Sequence, residues 1–382
     1  MSTDTSASIA GVYEHPTREA PDKSTPQLHA EVARGALDDA GLAFDDVDGF
    51  FTAGTPRWML SLIEYLGLSD LSYYDSTDVG GSSYVAHVGH AAAAIAAGKC
   101  EVALVTLAGR PRSEQLSPLS DGPEVPFEES FGPSPVGLYA LAARRHMHEY
   151  GTTPEQLAAI RVAASEHAQY NEDAMYREPV TVADVLDSRP VADPLHLLDC
   201  CVVTDGGGAL VVVSPEVAAD LDRECPAVLG HAEAVEHVDG GHLDVTHTAA
   251  VDSGPRAFAE AGIHHADVDY ASIYDSFTIT VLETIEDLGF CAKGEGGAFV
   301  EGGTLRAPDG DLPFNTDGGG LCNNHPANRG GMTKVIEAVR QLRGEANDPV
   351  QVPDCEVAIA HGTGGSIASR MGSVTLVLGA DR

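Results

Sequence analysis

Four short stretches of this chain set groups able to move protons or attack a carbonyl beside runs of glycine. The first is Asn315 to Gly331, NTDGGGLCNNHPANRGG, where His325 stands at an Asn-Asn-His-Pro corner just before an amphipathic pattern that ends at Gly344. Glycines let backbone N–H groups come nearer a substrate than a Cβ would allow, and Asn, Pro and Gly suit a sharp loop. His325 is thereby placed close to a helix start, where free N–H groups collect. As local sequence it reads equally well as a turn residue. The second stretch is Gly80-Gly81-Ser82-Ser83, opening a helix of small residues. A hydroxyl there feels the positive end of the helix dipole, although an ordinary serine cap has the same appearance. The third is Tyr274-Asp275-Ser276-Phe277 at a strand end, a site or a core tyrosine with a capping aspartate. The fourth is His361-Gly362-Thr363-Gly364-Gly365, placed directly after a strand over 357–360. It has neither the spacing nor the lysine of a phosphate-binding loop.

The elements that must position these groups follow from hydrophobic period and breakers. Helical spacing covers 26–41, 58–66, 82–97, 137–149, 154–170, 277–289 and 331–344. Apolar runs predict strands at 47–52, 101–107, 209–213, 227–236, 268–274, 357–360 and 374–378, and 73–81 reads as extended. Residues 108–135 are rich in Pro, Ser, Gly and Glu and read as a surface excursion. Strand, glycine turn, helix, strand is the crossover unit of an α/β sheet. Both halves end in that order, so the chain reads as a duplicated α/β core divided near 220. All four stretches fall at strand or helix ends, where such sheets place their sites.

Composition narrows the function classes. The 382 residues carry 58 Asp and Glu against 22 Lys and Arg, a net charge of −36, with four lysines: Lys23, Lys99, Lys293 and Lys334. A chain so poor in cations is unsuited to nucleic acid, whose phosphates need them. Acids spread over the whole length fit a halophilic cytoplasm, where salt screens the self-repulsion. The N-terminus lacks the basic and apolar regions of a secretory signal, and no run reaches the length of a membrane span. Seven cysteines without a C-x-x-C pair fit reduced cytosolic thiols rather than a disulfide framework or a zinc site. His87 and His90 share a helix face and read as packing. His231, His237, His242 and His247 match no metal-ligand spacing, so no metal is expected.

In this order the motifs GGSSYVAHVGHAAAAIAAG, LLDCCVVTDGGGALVV, YDSFTITVLETIEDLGF, NTDGGGLCNNHP, QLRGE and HGTGG resemble the thiolase superfamily, most closely its sterol-carrier and archaeal branch, over nearly the whole chain. The resemblance implies two similar halves, 1–220 and 221–382, each a five-stranded mixed sheet with helices, and an excursion (108–200) covering the substrate. It implies a homodimer, coenzyme A thioesters as substrates, no resident cofactor, and a small zinc-ribbon/OB-fold partner protein. His325 matches the histidine of the family's Gly-His-Pro motif, with Asn324 in place of the glycine. His361 stands where many thiolases carry a second acid/base cysteine, and Tyr274 where relatives place Asn or His near the thioester oxygen. Gly81, Asn315, Gly319, Asn324, Gly362 and Gly364 are the substrate-binding positions expected. The departure is the nucleophile: Gly81 falls opposite the family's cysteine, with Ser82 and Ser83 immediately after it. A serine needs a base at the moment of attack, which makes Ser83 or Ser82 with His325 and His361 the expected catalytic cluster of a β-ketothiolase. The missing cysteine and Tyr274 also fit a related branch of retro-aldolases that cleave β-hydroxyacyl thioesters. A non-catalytic scaffold or lipid-transfer protein is the third reading.

Overall fold

The structure is a computed structural model that describes residues 7–115, 127, 129–132, 134–237, 244–326, 330–367 and 369–381. Part of the excursion, His242, and residues 327–329 of the His325 loop lie outside the described residues.

Nine strands form one mixed sheet among the described residues, in the order β3-β2-β4-β7-β1-β8-β11-β10-β9. The first half contributes β1 (Ser8–Glu14), β2 (Gly49–Phe51), β3 (Tyr73–Asp75), β4 (Val102–Gly109) and β7 (Gly206–Val213). The second contributes β8 (Ala227–Glu236), β9 (Tyr270–Ile273), β10 (Val357–Ser366) and β11 (Ser369–Gly379). A small hairpin of β5 (Pro190–Ala192) and β6 (Leu195–His196) belongs to the excursion. The halves meet where β1 pairs with β8 at Ser8 and Ala227 alone. The first half has its five expected strands, the second four. The position for a fifth is reached by Phe314, which makes a single bridge to Ala271 on β9. Asn315 then adopts a left-handed φ of 41° and turns the chain away, so no ladder grows.

Helices α1 (Thr25–Ala40) and α2 (Pro56–Leu66) cover the outer face of the first half. Helices α3 (Ser83–Ala96) and α8 (Gly331–Leu342) pack against strands of both halves and form a central layer. Excursion helices α4 (Pro135–Tyr150) and α5 (Pro154–Ala168), together with α6 (Ala250–Ala261) and α7 (Thr278–Asp287), pack on the outer side of the second half. Successive strand residues face opposite sides, and the cores obey this. Val105, Val212, Ala360 and Leu376 meet Val85, Val88, Val335 and Val339 in the central layer. Their chain neighbours Leu104 and Val211 pack outward with Val32 and Leu62. Ile359 and Val377 pack outward with Phe258 and Leu282. Each such Val, Leu, Ile or Phe side chain, fully buried, contributes about 1.5–3 kcal/mol. Helix α3, packed against strands of both halves of the sheet, has room only for small residues on some faces, and Gly89 lies directly under the His231 ring.

Two differences from the sequence reading bear on the site. Strand β1, at the centre of the sheet, is absent from that reading. The HGTGG stretch is strand rather than loop, because β11 begins at Ser369 and pairs with β10 through Ser366.

Candidate active site

Strand β9 ends at Ile273, and the next residue, Tyr274, donates its N–H to His361 O at 2.9 Å, continuing the register with β10. Asp275 then accepts from the N–H groups of Gly320 (2.8 Å) and Leu321 (3.1 Å). These bonds fasten the one-turn helix Gly319–Cys322 to the strand end. A Cβ at Gly319 would overlap the Asp275 carboxylate, which is why a glycine stands there. Lys334 of α8, fully buried, pairs with Asp275 Oδ1 at 2.9 Å. Burial disfavours its ammonium, but Asp275, Asp317 and Glu14 hold its pKa above the ordinary value.

After that turn the chain reaches His325. Its Nε2 lies 2.8 Å from Tyr274 Oη, and the rings meet edge-on with centroids 5.5 Å apart. Both residues are buried, at 5% and 6% exposure. Burial pushes the Tyr274 phenol well above its usual 10. Burial pushes the His325 imidazole down to about 4, against the attraction of Asp275. The resting pair is thus a neutral phenol and a neutral imidazole, with the phenol as donor and the ring proton on Nδ1. Nδ1 is buried and has no hydrogen-bond partner among the described residues. A buried donor left without a partner is costly and calls for an explanation, of which a catalytic role is one.

The Tyr274 ring lies on Gly81. A Cβ at Gly81 would sit 2.5 Å from Cε2 and Cζ of the ring and would overlap the carbonyl oxygen of Thr363. Gly330 faces the other reacting ring, where a Cβ would stand 2.9 Å from His325 Cδ2. The position expected to match the family's cysteine therefore has no space for any side chain, because a tyrosine and a strand backbone fill it.

Among the described residues the expected Ser-His-His cluster is not joined by hydrogen bonds. Gly80–Ser82 forms a tight turn, and the hydroxyls fold back onto it. Ser83 Oγ donates to Gly80 O (2.7 Å) and accepts from the Val79 N–H (3.0 Å). Ser82 Oγ donates to Val79 O (2.8 Å), with Gly372 O at 3.2 Å as a second acceptor. Among the described residues no hydrogen bond joins either serine to His325 or His361. His361 lies within β10, on the outer face with Ile359, whereas its neighbour Gly362 faces α3. Its Nδ1 meets Thr375 Oγ1 at 2.9 Å and its Nε2 meets Ser373 Oγ at 3.2 Å. Thr375 in turn bonds Ser253 of α6 at 2.9 Å. Burial depresses the His361 imidazole to about 3. This is a satisfied core histidine, turned away from the serines by the strand's alternation.

The expected substrate-binding positions hold backbone together. Asn315 exchanges two hydrogen bonds with Ile273, its Oδ1 accepting from the N–H at 2.9 Å and its Nδ2 donating to the carbonyl at 2.8 Å. Gly362 permits the approach of β10 to Ser82, where a Cβ would lie 2.8 Å from Cα. Gly364 gives the Val79 carbonyl room in the same way. Asn324 Nδ2 donates to Glu14 Oε1 at 2.8 Å. Sequence reasoning missed Glu14, Thr204 and Lys334. Lys334 had a signal, being one of four lysines in the chain and set among apolar residues of a helix.

Among the described residues no group of three or more His, Cys, Asp or Glu could hold a metal ion, and no helix is long and apolar enough to cross a membrane. His87 binds Thr77 O at 2.9 Å, and His90 lies between Asp75 and Glu233, each at 2.7 Å.

Similarity to known proteins bears on this geometry. The Thiolase C-terminal domain-like family matches residues 232–380. The steroid side-chain-cleaving aldolase of Thermomonospora curvata is 35% identical, over 98% of each chain. The acetyl-CoA acetyltransferase of Methanothermobacter thermautotrophicus is 33% identical, over 94% of this chain and 97% of that one. Among solved structures, the Ltp2-ChsH2(DUF35) aldolase superposes with a TM-score of 0.88 at 33% identity, covering 98% of both chains. The chain belongs to the thiolase superfamily of enzymes, as a thiolase-like protein of the sterol-carrier and archaeal type.

Proposed function

We propose that this chain is a thiolase-like retro-aldolase that cleaves a β-hydroxyacyl-coenzyme A thioester, with Tyr274 and His325 as its proton-transferring pair. The observation that carries this reading is the Tyr274 ring seated on Gly81, in the space a nucleophilic side chain would need, with its hydroxyl on His325. Loss of the β-hydroxyl proton lets the Cα–Cβ bond break. The β-carbon becomes a carbonyl, and the bonding pair passes to the α-carbon as a thioester enolate. Tyr274 Oη takes the hydroxyl proton as its own moves to His325 Nε2, and the pair returns one proton to the α-carbon. No oxidant, free coenzyme A or acyl-enzyme enters the balance. A positioned acid/base pair of this kind is worth about 10²–10⁴ in rate. The aldolase names of two similar proteins support the reading, and the DUF35 component in one of those names supports a small partner protein.

A serine-dependent β-ketothiolase is the second reading, supported by the acetyl-CoA acetyltransferase relative. Two incubations separate them. With a β-hydroxyacyl-CoA, the aldolase releases a carbonyl compound and a shorter acyl-CoA. With acetoacetyl-CoA and free coenzyme A it produces nothing. Thiolysis of acetoacetyl-CoA that disappears in Ser83→Ala or Ser82→Ala would overturn the proposal.

A further inference from the structure

The two asparagines before His325 take no part in the proton transfer described above, yet both are fully buried. Their side chains converge on one carboxylate from the far half of the molecule, that of Glu14, the last residue of β1. Asn324 Nδ2 donates to Glu14 Oε1 at 2.8 Å, and Asn323 Nδ2 donates to the same oxygen at 3.2 Å. Arg18 closes the arrangement from Nη2, to Glu14 Oε1 at 2.9 Å and to Asn323 Oδ1 at 2.7 Å. Its Nε donates to Asn323 O at 3.1 Å. Thr204 connects this group to the histidine: its hydroxyl donates to Asn324 Oδ1 at 2.5 Å and accepts the backbone N–H of His325 at 3.0 Å. Burial works against the Glu14 carboxylate, and Arg18, Arg340 and the two amides together hold its pKa below the ordinary value.

A loop built for glycine needs such an anchor. Gly318 and Gly319 have φ of 96° and 61°, and glycines 330 and 331 follow the histidine. Glycine backbone is the least ordered by its own geometry, and a misplacement of about 1 Å at a reacting group costs on the order of 10²-fold in rate.

We propose that Glu14, Arg18 and Thr204 of the first half, acting on Asn324 of the loop, form a latch that fixes the His325 backbone and so holds the imidazole against Tyr274. These are positioning residues, and the kinetic part of the claim rests on the function proposed above. Thr204→Val removes the hydroxyl at constant shape and Thr204→Ser retains it. Assayed in the full-length protein on a β-hydroxyacyl-CoA, the valine variant loses about 10–100-fold in kcat. Its KM stays within about threefold of the parent's, and the serine variant recovers kcat to within about threefold. Glu14→Gln, which keeps an acceptor for both amides but loses the charge on Arg18, gives a smaller loss of kcat in the same direction. It serves as the comparison should the valine variant not fold.

Nitrogen-15 spectra of histidine-labelled protein supply a readout independent of turnover. The His325 Nε2 resonance shifts in Thr204→Val, as its bond to Tyr274 loosens, and returns in Thr204→Ser. A valine variant with the parent's kcat and an unmoved resonance overturns the latch, as does a loss of kcat that serine does not restore. If the parent cleaves no β-hydroxyacyl-CoA, the functional reading falls, and the resonance decides the latch: unmoved in the valine variant, it rejects it.

Discussion

His325 and His361 are two buried imidazoles of one half of the molecule, and burial depresses both. They differ in how their nitrogens are met. His361 has both satisfied, by Thr375 and Ser373, inside a ladder of strand hydrogen bonds. His325 binds the Tyr274 hydroxyl through one nitrogen, and its other has no partner among the described residues. The same contrast holds for the hydroxyls. Those of Ser82 and Ser83 are used up on their own turn, while that of Tyr274 is directed at a base. Residue type does not separate these two histidines or these hydroxyls; the partners that their polar atoms meet do.

The largest test of this contrast is removal of the Tyr274 hydroxyl. Tyr274→Phe lowers kcat for β-hydroxyacyl-CoA cleavage by about 10²–10⁴-fold. His325→Asn does the same, and the double variant is little worse than the poorer single one, since the two act as a unit. Roughly additive losses would break the pair apart. Acid titration follows in size. His325 is held near 4, against about 6.5 in an unfolded chain, so the neutral imidazole persists well below neutrality. The expected kcat is level from about pH 9 to pH 5 and falls about tenfold per unit below pH 4, where the imidazole protonates. Between those two pKa values the unfolded chain binds more protons, so stability declines as pH falls from about 6.5 toward 4. The acid limb therefore needs short pH-jump assays. A limb centred at 6–7 would show that His325 is not buried during turnover.

His361→Asn sharpens the other side of the comparison. It strands the Ser373 and Thr375 hydroxyls and costs about 1–3 kcal/mol of stability, measured by denaturant unfolding. Its effect on kcat is under about tenfold, below what loss of a proton-transferring group gives. Smaller again is Ser83→Ala, which leaves the Val79 N–H without its acceptor. About 1 kcal/mol is lost, with kcat within about twofold of the parent.

Much of the architecture is legible in the sequence because period and breakers report on it. Helices α1, α3 and α8 follow their apolar spacing and glycine stops, and β4 and β7 their unbroken apolar runs. Strand β1 is not legible, since Ser8, Ala10 and Gly11 carry no strand signal. Gly11 is there because α1 packs onto it at Ala36, a long-range reason. The site is half legible. Tyr274 and His325 stand out by motif, and the structure brings them together. The direction of His361 depends on where β11 begins, 369 rather than 374, which apolar content does not mark. The serine turn misleads because a cap and a nucleophile need the same residue type in the same place.

Mass spectrometry of the intact protein, acid-quenched during turnover of a β-hydroxyacyl-CoA, tests the Tyr274–His325 account most directly. An unchanged protein mass while the carbonyl product accumulates, with no product from Tyr274→Phe, is the predicted result. An acyl adduct that maps to Ser82 or Ser83 would contradict it.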